Sequence, residues 1–254
     1  MATPYLSIII TAYNEEDNLN RGSLSVVIDY LQSQLFPWEL IVVNDGSTDS
    51  TLQLLNDFAK KHPGTTVIDN PHMGKAMGII TGALAATGEI SLFTDMDQAT
   101  PITESPKLLN RIASGSDIVI GSRTKREGAP AFRQILAFGM VVLRGLILRL
   151  PFQDTQCGFK AYKTPIGQRI FSIMKSLRPA KVIQGPAVDP GFDVEFLYLG
   201  RKLGLRIAEV PVAWRYQESR RVSFVKDAIA GITGLLLVRW RSLTNAYALN
   251  SIPH

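Results

Sequence analysis

A single cysteine, Cys157, in 254 residues excludes an internal disulfide framework and fits a reducing compartment. No run of about 20 uncharged apolar residues is present, so no spanning helix is expected. Apolar Leu6–Ile10 gives way at once to polar Thr11–Asp17, which is not the layout of a secretory signal. Three histidines occur and none has a partner at metal-ligand spacing; His62 and His72 are expected at the surface, and His254 sits at the terminus. Neither a G-x-G-x-x-G fingerprint nor a P-loop is found, because Gly74-Lys75 lacks the leading glycine and is followed by Ala76. Zinc-finger spacing and aromatic-rich basic motifs are missing too, so nucleic acid is not an expected partner. What remains is a globular chain, 46 % apolar and 19 % charged, long enough to bury a full core as one cytoplasmic domain over 1–254.

The charge is divided. Residues 1–120 hold six Lys/Arg against fourteen Asp/Glu, a net −8; residues 121–254 hold twenty-one against eight, a net +13. An acidic half suits a metal ion, and a basic half suits phosphates or an anionic membrane surface.

Up to residue 122, short β-rich runs alternate with helical spacing. The strands are expected at Leu6–Ile10, Leu40–Val43, Thr66–Ile68, Ile90–Phe93 and Ile118–Ile120. The helices are expected at Asn18–Leu35, Ser50–Lys61, Lys75–Ala86 and Thr103–Ser114, with Asp49-Ser50 and Thr103 as N-caps. This rhythm predicts an α/β fold with a mostly parallel sheet and helices on both faces. Beyond it, 124–131 and Ser176–Gly191 read as loops, Phe192–Lys202 as a helix and Leu205–Trp214 as extended chain. Phe132–Leu150 and Phe224–Arg241 are amphipathic C-terminal helices, suited either to core burial or to a membrane interface. Arg133 and Arg144, eleven residues apart, would share a face.

The polar motifs fall in one kind of place. Thr11-Ala-Tyr-Asn-Glu15, Asn44-Asp-Gly-Ser-Thr-Asp49, Asp95-Met-Asp97 and Gly121-Ser-Arg123 each follow an expected strand. In open α/β sheets ligands bind at that carboxyl edge. Asp95 and Asp97 bracket one residue, so in extended chain both carboxylates face one way and call for a hard divalent ion, Mg²⁺ or Mn²⁺. An isolated D-x-D is equally at home as a polar strand end. Asp45 and Glu15 suit base and ribose recognition, and Tyr13 suits stacking on a base. Lys75, opening a helix, suits an anion.

In this order T-A-Y-N-E, N-D-G-S-T-D, G-K, D-M-D and G-S-R resemble the inverting glycosyltransferases of family 2, which have a Rossmann-like GT-A fold. Asp154-Thr-Gln-Cys-Gly-Phe-Lys-Ala-Tyr162, Phe192-Asp-Val-Glu195 and Ile207-Ala-Glu-Val-Pro-Val-Ala-Trp214 extend the resemblance to the polyprenyl-phosphate group, above all its dolichyl-phosphate β-glucosyl branch. Asp95-Met-Asp-Gln-Ala-Thr100 is closer to that branch's D-A-D-G-A-T than to the mannosyl D-A-D-L-S.

The resemblance implies a nucleotide-sugar half (1–122) and an acceptor half (123–254). Thr11, Tyr13, Glu15, Val43 and Asp45 would contact the nucleoside, with Gly74, Lys75 and Met96 beside it. Asp95 and Asp97 would hold Mg²⁺ or Mn²⁺. Arg123, Arg133, Arg215 and Arg220 would neutralise phosphates of donor or acceptor. Asp154 would either orient the acceptor or cap a turn. The implied reaction is transfer of a hexose, glucose from UDP-glucose, to a polyprenyl phosphate by an enzyme peripheral on the inner face of a membrane. GDP-mannose as donor, a soluble or polysaccharide hydroxyl as acceptor, and a silent sugar-nucleotide-binding protein are the alternatives. A hydroxyl acceptor would need a general base, for which Asp154, Asp193 and Glu195 are candidates. For Asp193 and Glu195 a salt bridge at a helix start is the simpler reading.

Overall fold

The computed structural model of the protein describes residues 3–123, 131–179, 181–185, 189–215 and 224–249, and only the backbone of 131–138, 190 and 224–228. The first half runs β1 (Leu6–Ala12), α1 (Glu16–Asn20), α2 (Ser23–Gln32), β2 (Trp38–Asp45), α3 (Thr51–Lys61), β3 (Thr65–Asn70), α4 (Lys75–Ala85) and β4 (Ile90–Asp95). It continues through α5 (Ser105–Ala113), β5 (Ile118–Ser122), α6 (Ala131–Leu148), β6 (Lys160–Lys163) and α7 (Thr164–Ser176). The chain closes with α8 (Pro190–Lys202), β7 (Ile207–Pro211) and α9 (Phe224–Leu243).

The seven strands form one sheet in the order β3-β2-β1-β4-β6-β5-β7. β1 is apolar almost throughout because both its faces are covered, as a central parallel strand requires. Ile9 packs into one core cluster, while Leu6, Ile8 and Ile10 pack into the other. Each fully buried side chain of this size contributes about 1.5–3 kcal/mol. On the first face Phe171 and Phe196 stack at 4.9 Å, with Phe93 and Tyr162 edge-on or tilted around them.

Several expectations are corrected. The single helix over Asn18–Leu35 is two, because Gly22 takes φ 82°, a left-handed conformation that ends one helix and starts the next. Thr103 lies in a 3-10 turn at Ile102–Glu104, and α5 starts after it with Pro106 in its first turn. α7 ends at Ser176 and α8 starts at Pro190, which shortens the expected Ser176–Gly191 loop from its far end. β6 was not foreseen, and it is antiparallel to both β4 and β5.

That strand positions the site. The carboxyl ends of β1, β2, β4 and β5 share one edge, and an antiparallel strand enters the sheet at that same edge. The register pairs Phe93 with Lys160. Two residues further on, Gly158 therefore lies opposite Asp95, and the whole Asp154–Phe159 loop is delivered to the ligand edge.

Candidate active site

The crevice opens where β1 has β2 on one side and β4 on the other, the switch point at which an α/β sheet leaves space for a ligand. Its first wall is two interlocked loops. Asn14 sits at φ 53° and donates its N–H to Ser47 Oγ (3.0 Å), and its Oδ1 accepts from Thr48 N (2.8 Å). Glu15 N donates to Thr51 Oγ1 (2.8 Å), and Asn18 Nδ2 donates to Glu15 Oε2 (2.5 Å). Thr11 lies below, half-buried against α4.

Asp45 is 1 % exposed, and its carboxylate accepts from Met73 N, Gly74 N and His72 Nδ1, each at 2.8 Å. It therefore ties β2 to the turn that launches α4. The amides of Met73 and Gly74, just before α4, are used within the protein, not left for an anion. Val43 and Met96 are buried in the two core clusters, so only their backbone reaches the crevice. The extended chain expected across Asp95–Asp97 ends at Asp95: Met96 and Asp97 lie in a turn closed by Gln98 N on Asp95 O (3.2 Å), and the Met96 side chain is buried there.

His72, expected at the surface, is buried. Its ring stacks on Tyr13 with centroids 3.9 Å apart and planes 5° from parallel. Its Nε2 lies 2.8 Å from Gly185 O, and Ile183 N donates to His72 O (2.9 Å), so residues 183–185 are pinned across the site. Burial pulls the His72 pKa down, but hydrogen bonds to Gly185 O and Asp45 and the Asp45 charge outweigh it and hold the pKa above its ordinary value. A base with a raised folded pKa adds stability that is full below its ordinary value of about 6.5 and is lost as pH rises through the raised one. The melting temperature is accordingly expected to fall with rising pH across that window in the wild type. His72→Gln should flatten the decline; an identical pH profile in the variant would assign it elsewhere.

The second wall carries the carboxylate pair. Lys75 Nζ contacts Asp95 Oδ1, and Asp97 accepts from Ala99 N (3.0 Å). Burial and the neighbouring Asp95 charge raise the Asp97 pKa against the opposing Ala99 hydrogen bond and Lys75 charge. A carboxylate held near another in this way fits a cation. Hard oxygen donors fit Mg²⁺ or Mn²⁺. Among the described residues no three His, Cys, Asp or Glu side chains cluster at ligating range, so water and phosphate oxygens would complete the shell.

The Asp154–Phe159 loop closes over Asp95 of this pair. A Cβ on Gly158 would lie 2.2 Å from Asp95 Oδ2, so only glycine allows the approach. Gly158→Ala is expected to displace Asp95, cost about 1–3 kcal/mol and weaken Mn²⁺ binding. Denaturant midpoints and calorimetry check this, and unchanged Mn²⁺ affinity would contradict it.

Behind the loop, Arg123 grips Asp154 through Nε–Oδ2 (2.6 Å), Nη2–Oδ1 (2.7 Å) and its own backbone N–H (3.0 Å). The Arg123 guanidinium also lies over the Trp214 ring at 5.6 Å. Gln153 N and Asp154 N donate to Glu209. Arg144, expected to share a helix face with Arg133, is 5 % exposed. Its guanidinium donates to Thr155 Oγ1 (2.9 Å) and to the carbonyls of Phe152 and Gln153, because the loop folds back over α6.

Asp193 and Glu195 are engaged with cations, as the simpler reading of them held. Asp193 lies 2.5 Å from fully buried Lys160. Glu195 meets Arg178 (2.6 Å), Arg241 (2.7 Å) and Tyr247 Oη (2.8 Å). Arg215 is exposed, with its N–H on Ala99 O (2.8 Å). The Arg133 side chain and Arg220 lie outside the described residues.

With this geometry in view, the sequence pattern of glycosyl transferase family 2 matches residues 7–171. The chain belongs to glycosyl transferase family 2. Among curated proteins, this family 2 chain is 36 % identical over 226 residues to a dolichyl-phosphate beta-glucosyltransferase of Trichomonas vaginalis, covering 84 % of this chain and 66 % of that one. It is 31 % identical over 269 residues to the Homo sapiens dolichyl-phosphate beta-glucosyltransferase, covering 97 % and 78 %. The chain spans 66 % and 64 % of the first two Trichomonas proteins, just under two thirds of their length. Among solved structures it resembles Mycobacterium tuberculosis glucosyl-3-phosphoglycerate synthase in complex with Mn²⁺, UDP and glucosyl-3-phosphoglycerate. That match has a TM-score of 0.64 and 21 % identity, covering 93 % of this chain and 80 % of the other. A Pyrobaculum calidifontis mannosyltransferase in complex with GDP-Man and Mn²⁺ follows at TM-score 0.55 and 19 % identity, covering 100 % and 78 %. These likenesses establish the GT-A fold.

Proposed function

We propose that the chain is an inverting, divalent-metal-dependent glycosyltransferase that moves glucose from UDP-glucose onto a polyprenyl or dolichyl phosphate. Family membership and the names of its curated relatives support the reaction class, the sugar and the acceptor. The observation that carries the acceptor is the state of the three candidate bases. Asp154, Asp193 and Glu195 are each bound to a cation, so none stands ready to deprotonate a hydroxyl. A phosphate acceptor needs none, since its second pKa of about 6 leaves it mostly ionised at neutral pH.

Tyr13, Glu15 and Thr11 with the Val43–Asp45 strand end would line the nucleoside. Lys75, beside Gly74, would face the donor phosphates. Asp95 and Asp97 would hold Mg²⁺ or Mn²⁺, which when bound stabilises charge on the leaving diphosphate. Arg123, aimed by Asp154, would present fixed positive charge to the same developing anion. Arg133, Arg215 and Arg220 would draw the acceptor phosphate towards the donor against their mutual repulsion. Calorimetric titration in Mn²⁺ tests the donor: UDP-glucose is expected to bind at least tenfold more tightly than GDP-mannose, and the reverse order would assign mannose.

The acceptor's lipid calls for a surface. No helix among the described residues is long and apolar enough to cross a membrane. Yet α6 and α9 pack together and expose Leu143, Leu146, Ile232, Leu236, Trp240 and Leu243, with Leu146 75 % and Trp240 66 % exposed. An exposed apolar face beside Arg residues would suit the interface of an anionic bilayer. The wild type is expected to float with anionic vesicles, and Leu236→Glu with Trp240→Glu to remain in the pellet fraction. Equal flotation of both would contradict this face.

A further inference from the structure

Two lysines serve the carboxylates at the β4 edge, and they are held in different ways. Lys160 is fully buried between Asp193 Oδ1 (2.5 Å) and Cys157 O, with its ammonium over the Phe93 ring at 5.2 Å. Lys75 is its opposite. It is the first residue of α4, its side chain is 42 % exposed, and it forms an ion pair with Asp95, itself 35 % exposed. Asp95, Asp193 and Asp97 all attract it. Gly158 packs against the Asp95 carboxylate, which stays partly exposed, and Lys75 Nζ contacts its Oδ1. Arg123 is held by Asp154 through Nε and Nη2, whereas Lys75 is on Asp95 itself.

We propose that the Lys75 ammonium is a placeholder cation on Asp95, which a divalent metal must displace and which then turns to the donor's phosphates. The inference rests on reading Asp95 and Asp97 as metal ligands. Two cations cannot share one carboxylate oxygen without repelling one another, so Lys75 and metal compete in the free protein. Once the diphosphate is present, the displaced ammonium gains a partner. Metal and nucleotide therefore bind with positive coupling, and the coupling is reciprocal. The placeholder offsets one of the two carboxylate charges before metal binds, at the cost of weak metal affinity until the donor arrives.

The test is calorimetric titration of Mn²⁺ into the metal-free full chain without nucleotide, for wild type, Lys75→Met and Lys75→Arg. Lys75→Met is expected to bind Mn²⁺ at least tenfold more tightly than wild type, while Lys75→Arg, which keeps a cation, stays weak. UDP is expected to tighten Mn²⁺ binding strongly in wild type and much less in Lys75→Met. Equal or weaker Mn²⁺ binding by Lys75→Met overturns the proposal. Should that variant not fold in metal-free buffer, Mn²⁺ present during refolding is expected to rescue it, and failure of the rescue also overturns it. Tightened Mn²⁺ binding in a protein that transfers no sugar supports the placeholder and removes only the transferase reading.

Discussion

Asp97→Asn is expected to lower sugar transfer by about 10³-fold, the scale seen when one group that stabilises transition-state charge is removed. The variant is close to isosteric, and its amide oxygen still accepts from Ala99 N, a 3.0 Å bond in the wild type. The fold should therefore persist. A carboxyl whose folded pKa is raised opposes folding once it is ionised, so above pH of about 4 the neutral amide relieves that cost. The metal-free melting temperature is expected to be equal or slightly higher than that of wild type, with Mn²⁺-dependent UDP binding weakened. Unchanged turnover would take Asp97 out of the mechanism, and a large fall in melting temperature would make its role structural.

Arg123→Met carries the second large effect, and here stability and activity should fall together. Asp154 is 5 % exposed and accepts three hydrogen bonds from Arg123. Removing one partner of a buried pair leaves the other charge uncompensated and costs about 3–5 kcal/mol. Transfer is expected to drop by about 10²-fold or more. Replacing both partners separates the two effects. Arg123→Met with Asp154→Leu should recover most of the stability, read as the urea midpoint, and none of the activity. Recovery of turnover in the double variant would place Arg123 outside the site.

The ligand edge was legible because polar motifs at strand ends follow from period and patterning alone. β1, β2, β4 and β5 lie where the apolar runs put them, with Thr11, Asp45, Asp95 and Gly121 at or near their ends. What could not be read depends on chain that returns from afar. β6 is four residues, Lys-Ala-Tyr-Lys, and its first lysine is fully buried only because Asp193 and Cys157 O meet it there. By pattern such a segment is a polar loop. His72 lacked any spacing signal, since its partners Asp45 and Gly185 are 27 residues before it and 113 after it. The one usable hint was its place between β3 and α4, at the same edge as the motifs. The surroundings of Arg144 were not legible for a related reason: helical periodicity gives a face, but the 152–155 loop decides what covers it.

The central claim is transfer of glucose to a lipid phosphate, and product formation tests it most directly. Radiolabelled UDP-glucose and GDP-mannose would each be incubated with the full chain, detergent-dispersed polyprenyl phosphate and Mg²⁺ or Mn²⁺. Metal-dependent passage of label from UDP-glucose into the lipid phase, with β configuration at the new bond, is the predicted result. Tight UDP-glucose binding with no labelled lipid under either metal would contradict the account, and would point to a hydroxyl acceptor or a silent sugar-nucleotide-binding protein.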